Sequence, residues 1–386
     1  MGRHPEDALR VCALIQSFRP TVGGAELQLE RLLPHLEARG VAVTVLTRGV
    51  RGAPRRERLG DAEIRRGLIG GRSPAASAAY TLGSLAHIAL RRGRYDLVHA
   101  HGALSEGMIA LGAERLGMPA LVKVLLAGSE GDFEVLAGRF AGRWRTRSLA
   151  RRAWFAATSA AVRAELEGLG VPPSRIFAIP NGVDIHTYRP PSPDERVQLR
   201  FRLGLEPAAP LALFIGRLVP RKRVATAIRA VGRAEGRIRL VVVGEGPERS
   251  TLERMAQEHG LAERVSFTGA VPNVADYLRA ADFFVLPSRS EGLSNALLEA
   301  MACGLVCLAQ PVSGVEELFA GGRGIVVASE ETEAWARALA GLAGDEEQRE
   351  RLGAAARELV CADFTLERTA DRLVAAYRTM LSRRSS

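Results

Sequence analysis

Lysine is almost missing from this chain: of 53 lysine and arginine residues only Lys123 and Lys222 are lysines, so each departs from an arginine-rich background. Cysteine is sparse as well. Cys12, Cys303, Cys307 and Cys361 form no C-x-x-C and no paired zinc spacing, which argues against a disulfide scaffold or a zinc module and for reduced, mostly buried thiols. The histidines are scattered except for His99 and His101, and no metal site is expected. No apolar run approaches the roughly 18 residues needed to cross a bilayer. Residues 1–10 are polar and charged, and 11–15 are too short for the apolar core of a secretory signal, so a cytoplasmic protein is expected. The first strand is not followed by a full G-x-G-x-x-G, nor is an acidic residue placed to hold an adenosine ribose. Both absences count against an NAD(P)-dependent Rossmann oxidoreductase.

What is present points to a two-domain globular chain. The 386 residues are 47% apolar and 25% charged, long for one core and outside the range of disorder. The formal charge of +10 is unevenly placed: residues 1–190 hold 27 Lys and Arg against 17 Asp and Glu, and the remainder is balanced. The basic N-terminal half is therefore the side expected to meet an acidic partner or surface. No recognised nucleic-acid-binding module accompanies that charge, and no nucleic-acid partner is expected.

The most informative stretch is Glu291-Gly292-Leu293-Ser294-Asn295-Ala296-Leu297-Leu298-Glu299, between the apolar run Phe283-Phe284-Val285-Leu286 and Ala300-Met301-Ala302-Cys303-Gly304. It reads as strand, loop and helix, with Ser294 as N-cap and Gly304 as the stop. The unpaired N–H groups at such a helix start suit an anionic ligand. Glu299 lies among apolar neighbours, and a buried carboxylate is costly unless something bonds to it. At ~1.5 Å per residue it sits about 7 Å from Ser294, and its side chain leans back towards the helix start, within reach of a vicinal diol. Glu291 is placed to accept from a second polyol. The plain alternatives are a surface glutamate and a glutamate paired with an arginine.

Alternating strands and helices fill the rest. Residues 11–15, 41–47, 95–99, 120–125, 155–159 and 176–179 read as buried strands, with helices over 24–39 and 75–90. Residues 48–71 read as an Arg- and Gly-rich loop with a short strand near Ile64. His101 closes a strand, where ligand-binding residues of parallel sheets gather, although a satisfied structural histidine is the ordinary alternative. Residues 138–154 combine six arginines with Phe140, Trp144, Leu149 and Trp154, which fits either a solvated basic face or a helix lying on an anionic membrane. Pro190 to Pro193 mark a linker. Beyond it, a strand at 211–215 leads into Gly216-Arg217 and Lys222, then a helix to about Glu235. Strands at 239–243, 265–268, 282–286, 306–308 and 325–327 alternate with helices. The fold class expected is α/β, two Rossmann-like doubly wound parallel sheets. The N-terminal domain spans 1–189, with helix 365–386 crossing back to it, and the C-terminal domain spans 190–364.

The ordered set Gly23-Gly24-Ala25-Glu26, His99-Ala100-His101-Gly102, Pro180-Asn181-Gly182-Val183-Asp184, Gly216-Arg217 with Lys222, Gly244-Glu245-Gly246-Pro247 and the glutamate pair of 291–299 resembles the family-4 retaining glycosyltransferases. Their two facing domains form the architecture labelled GT-B. The resemblance implies transfer from a nucleotide-diphosphate sugar to a glycan or lipid-linked acceptor, without a metal ion or other cofactor. It implies that Arg217 and Lys222 hold the diphosphate as it leaves, and that Glu299 accepts the ribose hydroxyls. Glu291 with Gly292, Leu293, Ser294 and Asn295 would engage the donor sugar, Gly24 would approach the diphosphate, and His101 would lie beside the reacting sugar.

Three departures from the family pattern stand out. Val124-Leu125-Leu126-Ala127-Gly128 lacks the family's usual His-Gly pair, which makes Lys123, with Asn181, a candidate on the acceptor side. Val306 stands where a proline is common, and Ser313-Gly314-Val315-Glu316-Glu317 replaces Gly-Gly-x-Pro-Glu. A nucleotide-sugar-binding subunit without turnover is the non-enzymatic rival.

Overall fold

β-branched and apolar runs form the central strands, which the amphipathic helices that follow them bury. The computed structural model describes residues 8–20, 23–71, 73–234 and 237–383. Two compact units divide the chain after Gly182 and again after Thr365: residues up to Gly182 group with those from Leu366 onward, and Val183–Thr365 form the second unit. Val183 and Tyr188 belong to the second unit's core, and the Val183 N–H donates to the Phe364 carbonyl at 2.8 Å. Pro193 begins a helix, Pro193–Arg202, whose N-cap Ser192 accepts from the Glu195 N–H.

The first unit is built on an eight-stranded sheet. Its strands are β1 (Leu9–Leu14), β2 (Val41–Gly49), β3 (Arg56–Leu59), β4 (Ala62–Gly70), β5 (Leu97–His101), β6 (Ala120–Val124), β7 (Trp154–Ala157) and β8 (Ile176–Ala178), in spatial order β3-β4-β2-β1-β5-β6-β7-β8. All neighbours run parallel except β3 and β4. β5 and β6 are buried at every residue, as strands covered on both faces must be.

Two expectations for this unit need correction. Residues 48–71 are not mainly loop. β2 continues to Gly49, and β3 and β4 form a hairpin that makes the sheet mixed. Alternate burial of Ala62, Ile64 and Arg66 draws β4 onto the sheet, and Gly60 supplies the positive φ of 58° that the tight turn needs. Residues 138–154 are not one helix either. A helix Asp132–Ala137 is followed, across Ala141 at φ 54°, by a helix Gly142–Arg152. A Cβ on Gly142 would lie 2.0 Å from the Leu136 carbonyl oxygen, so glycine permits that sharp corner. Trp154 opens β7 and stacks on Phe177 with ring centroids 5.6 Å apart, which removes it from the basic face.

The last helix, Leu366–Ser382, buries Leu366, Ala370, Leu373, Tyr377 and Met380 against Leu29, Leu32, Leu33 and Leu36 of the helix Gly24–Glu37. Residues 384–386, the end of the expected 365–386 helix, lie outside the described residues.

The second unit has a parallel six-stranded sheet: β9 (Leu211–Ile215), β10 (Arg239–Val243), β11 (Val265–Gly269), β12 (Phe283–Leu286), β13 (Val306–Ala309) and β14 (Ile325–Val326), ordered β11-β10-β9-β12-β13-β14. The helix after β9 is Val224–Arg233, and residue 235, its expected end, lies outside the described residues. On one face this helix packs with Thr332–Gly344 around Trp335, and on the other Asn295–Ala302 packs on Glu346–Asp363.

Candidate functional site

In the second unit, three loops at the carboxyl edge of the sheet lock together. After β9 and β10 the chains run so close that Gly216 N–H donates to Val243 O (3.0 Å), Leu218 N–H to Glu245 O (2.9 Å) and Glu248 N–H to Leu218 O (3.1 Å). Gly244 has φ 140°, and a Cβ there would lie 1.9 Å from the Gly216 oxygen; on Gly246 it would lie 2.2 Å from the Leu218 oxygen. The glycines of the Gly-Glu-Gly-Pro motif are therefore demanded by backbone approach.

The loop after β12 joins this pair. Arg289 N–H donates to Arg221 O at 2.8 Å, and Arg221 Nη1 donates to Ser290 O at 2.9 Å. Beneath them Lys222 and Glu291, 9% and 6% exposed, form a hydrogen-bonded ion pair. The second Glu291 oxygen lies 3.8 Å from Arg221. The lysine that stands out in the sequence thus meets one of the two notable glutamates. Arg217 is exposed and makes no ion pair among the described residues.

Ser294 caps the helix Asn295–Ala302, its Oγ accepting from the Leu297 N–H at 3.4 Å, and Gly304 ends it with φ 73°. Leu297, Leu298, Ala300, Met301 and Ala302 are buried around it, and Glu299 is 7% exposed among them. Gly314, at φ 82°, lies against Leu293 and the Gly292 carbonyl, where a Cβ would come within 3.1 Å of Leu293 Cδ1. Gly314 therefore packs closely against Gly292 and Leu293, just ahead of capping Ser294 and Asn295. Ser288, fully buried, has an Oγ without a partner among the described residues. A serine next to a strand end carries no sequence signal of that kind.

In the first unit, His101 is the last residue of β5 and lies opposite Lys123 on β6. Lys123 Nζ donates to Asn181 Oδ1 at 2.7 Å, which unites the two acceptor-side candidates. Burial pulls Lys123 down to about 8. His99 and His101 project from the same face of β5 and stack with centroids 4.3 Å apart. Burial first, and then the charge of Lys123, holds His99 down to about 3; burial, His99 and Lys123 hold His101 well below its ordinary value. Both rings are neutral, and both Nε2 atoms are buried without a partner among the described residues. The Nδ1 of His99 is 2.7 Å from the hydroxyl of Tyr377, on the last helix. Tyr377 was not foreseeable, because its contact spans 278 residues. Gly24 is the exposed first residue of the helix Gly24–Glu37, capped by extended Gly23.

Two α/β units, one on a mixed but mainly parallel sheet and one on a parallel sheet, with a glutamate pair spanning a capped helix start in the second, have the architecture of the GT-B glycosyltransferases. Residues 22–187 match the model of Glycosyltransferase Family 4, and residues 195–359 that of Glycosyl transferases group 1. The D-inositol 3-phosphate glycosyltransferase of Nocardia farcinica is 31% identical over 95% of this chain and 87% of its own. The fold is shared with the sucrose-phosphate synthase of Thermosynechococcus elongatus (TM-score 0.82, 22% identity, 97% of this chain and 100% of that one). It is shared also with Anabaena HepE in complex with UDP and glucose (TM-score 0.78, 20% identity, 95% and 98%). The chain belongs to glycosyltransferase family 4, as an enzyme of the hexosyltransferase type.

Proposed function

We propose that the protein moves a sugar from a nucleotide-diphosphate sugar to a hydroxyl of a glycan or lipid-linked acceptor, with retention at the anomeric carbon, in cell-envelope or exopolysaccharide synthesis. The observation that carries this reading is the buried Lys222–Glu291 pair at the start of the helix that holds Glu299. Breaking the anomeric bond leaves its electron pair on the diphosphate. Arg217 and Lys222 receive that charge, with a dipole-bearing helix start beside them, and no metal ion is invoked. Glu299 accepts from the ribose hydroxyls, and Glu291 with the backbone of 292–295 holds the donor sugar. Gly24, at the start of its helix, approaches the diphosphate.

His101, held neutral, acts as a hydrogen-bonding group towards the reacting sugar, and its unpartnered Nε2 is the atom that does so. Lys123 and Asn181 bind the acceptor. The acceptor oxygen bonds to the anomeric carbon on the face the diphosphate leaves, and the acceptor's proton passes to a phosphate oxygen, so no protein nucleophile is assigned. The UDP and glucose of the HepE complex put UDP-glucose first among the donors to try.

Arg143, Arg147 and Arg151 form one exposed stripe beside Phe140, 96% exposed, and Trp144, 49% exposed. This stripe is the proposed contact with an anionic membrane face on the cytoplasmic side, where the enzyme would act as a peripheral protein. No helix among the described residues is long and apolar enough to cross a membrane.

Hydrolysis and transfer measured across UDP-, GDP- and ADP-sugars, with NAD(P) binding as a control, test the reading. Turnover of at least one nucleotide sugar is expected. Binding of nucleotide sugar without turnover would instead make the chain a binding subunit.

A further inference from the structure

The last helix, Leu366–Ser382, carries a hydroxyl into the first unit's core. Tyr377 is fully buried, and Leu373, Val374 and Met380 of the same helix share that core with Leu97, Leu121 and Ala156 of the sheet. A phenylalanine would fill the same space without burying a polar group, which is costly unless it is bonded. The hydroxyl makes one hydrogen bond among the described residues, at 2.7 Å with Nδ1 of His99, and the two rings meet edge to face with centroids 5.8 Å apart.

His101 depends on this contact. Its ring forms no hydrogen bond among the described residues, and Lys123, opposite it on β6, gives its Nζ to Asn181 instead. The ring stacked on the imidazole is that of His99, with 4.3 Å between centroids and 30° between planes. His99 in turn has no ring hydrogen bond besides the one with Tyr377, since its Nε2 is buried without a partner among the described residues. Position thus passes from the helix to His99 and from His99 to His101. The direction of the bond follows from the protons. Burial keeps His99 neutral, with a single N–H, and holds the Tyr377 proton far above its ordinary value. A phenol is a stronger acid than a neutral imidazole N–H, and an imidazole nitrogen is the better acceptor, so the hydroxyl donates to Nδ1. The proton of His99 then resides on Nε2.

We propose that Tyr377 is a positioning residue for sugar transfer: its hydroxyl locks the tautomer and ring plane of His99, and His99 holds the stacked imidazole of His101 in place for the reacting sugar. The proposal rests on the glycosyl-transfer reading, in which His101 faces that sugar, and adds to it a residue far along the chain from the sheet edge. Without the hydroxyl, no hydrogen bond distinguishes the two nitrogens of His99 or its two ring flips, and His101 loses a fixed platform.

The test removes one oxygen, with Tyr377→Phe in the full chain, and measures kcat and KM for the best nucleotide sugar beside nitrogen NMR of the histidine-labelled protein. In Tyr377→Phe, kcat is expected to fall about tenfold to a hundredfold, the scale at which a small misplacement of reacting groups acts, with KM unchanged within about twofold. In the unaltered protein the spectrum is expected to show His99 as one tautomer, with an unprotonated Nδ1 and a protonated Nε2, and in Tyr377→Phe that single tautomer is expected to be lost. A double-mutant cycle with His99→Gln shows the route: in the His99→Gln background, Tyr377→Phe should lower kcat by less than about twofold more. An unchanged kcat in folded Tyr377→Phe overturns the proposal, as does a proton on Nδ1 of His99 in the unaltered protein or an equal loss of kcat in both backgrounds. The tautomer is read on the unaltered protein, so it decides the matter even where Tyr377→Phe fails to fold. Absence of turnover from the unaltered protein with every nucleotide sugar removes the transfer reading and this proposal with it, whereas turnover that Tyr377→Phe leaves intact removes the proposal alone.

Discussion

At the scale of single residues, burial decides what the candidate side chains can do. Lys222 and Glu291 neutralise each other out of water, so any anionic ligand at Lys222 would compete with a carboxylate for the ammonium, and removing either partner strands the other's charge. His99 works in the opposite sense, because its fold keeps it uncharged. With a folded value of about 3 against an ordinary 6.5, its contribution to stability is present above pH 6.5 and is lost as pH falls below it. The unaltered protein's stability advantage over His99→Gln should therefore be about 2 kcal/mol smaller at pH 5 than at pH 8. Urea denaturation at the two pH values checks this, and a pH-independent difference would contradict it. Much at this scale was legible in the sequence. Lys222 and Lys123 stood out by type, and Glu299 by its oily neighbours. Tyr377 and Ser288 did not, since their significance lies in who their neighbours are and which of their atoms lack partners.

At the scale of elements, the strongest sequence signals were those with a local cause. The helix after Ser294 begins and ends where its cap and its glycine put it, because both act within one turn. Of the β3–β4 hairpin only a short strand near Ile64 is legible, because arginine and glycine dominate its sequence, and only pairing with β2 turns its weak alternation into a full strand. Trp154 was drawn into a helix by its basic neighbours, whereas the sheet claims it. Gly244→Ala tests the interlocked loops: the positive φ and the contact with Gly216 should cost more than about 2 kcal/mol, read by thermal or urea unfolding. Little change would show that the two backbones can separate freely. For the helix Gly142–Arg152, replacing Arg143, Arg147 and Arg151 together should weaken sedimentation with anionic vesicles by at least about tenfold, at roughly 1 kcal/mol per cation. Unchanged sedimentation would leave the stripe a solvated face.

For the whole molecule, chain order and unit membership part company. Leu373 follows the second unit in sequence yet packs in the first unit's core. Leu373→Ala, at a cost of about 2–5 kcal/mol, should accelerate hydrogen exchange in β1, β2 and β5 and leave β9, β10 and β12 unchanged. Equal acceleration in both sheets would contradict the division into units. The central claim is that fixed positive charge in the second unit receives a departing diphosphate. Its most direct test is kcat/KM for the best nucleotide sugar in the unaltered protein and in folded Lys222→Ala. A fall of at least ~100-fold is predicted, the scale of a single electrostatic contributor to a transition state. An undiminished rate in the folded variant would contradict the account.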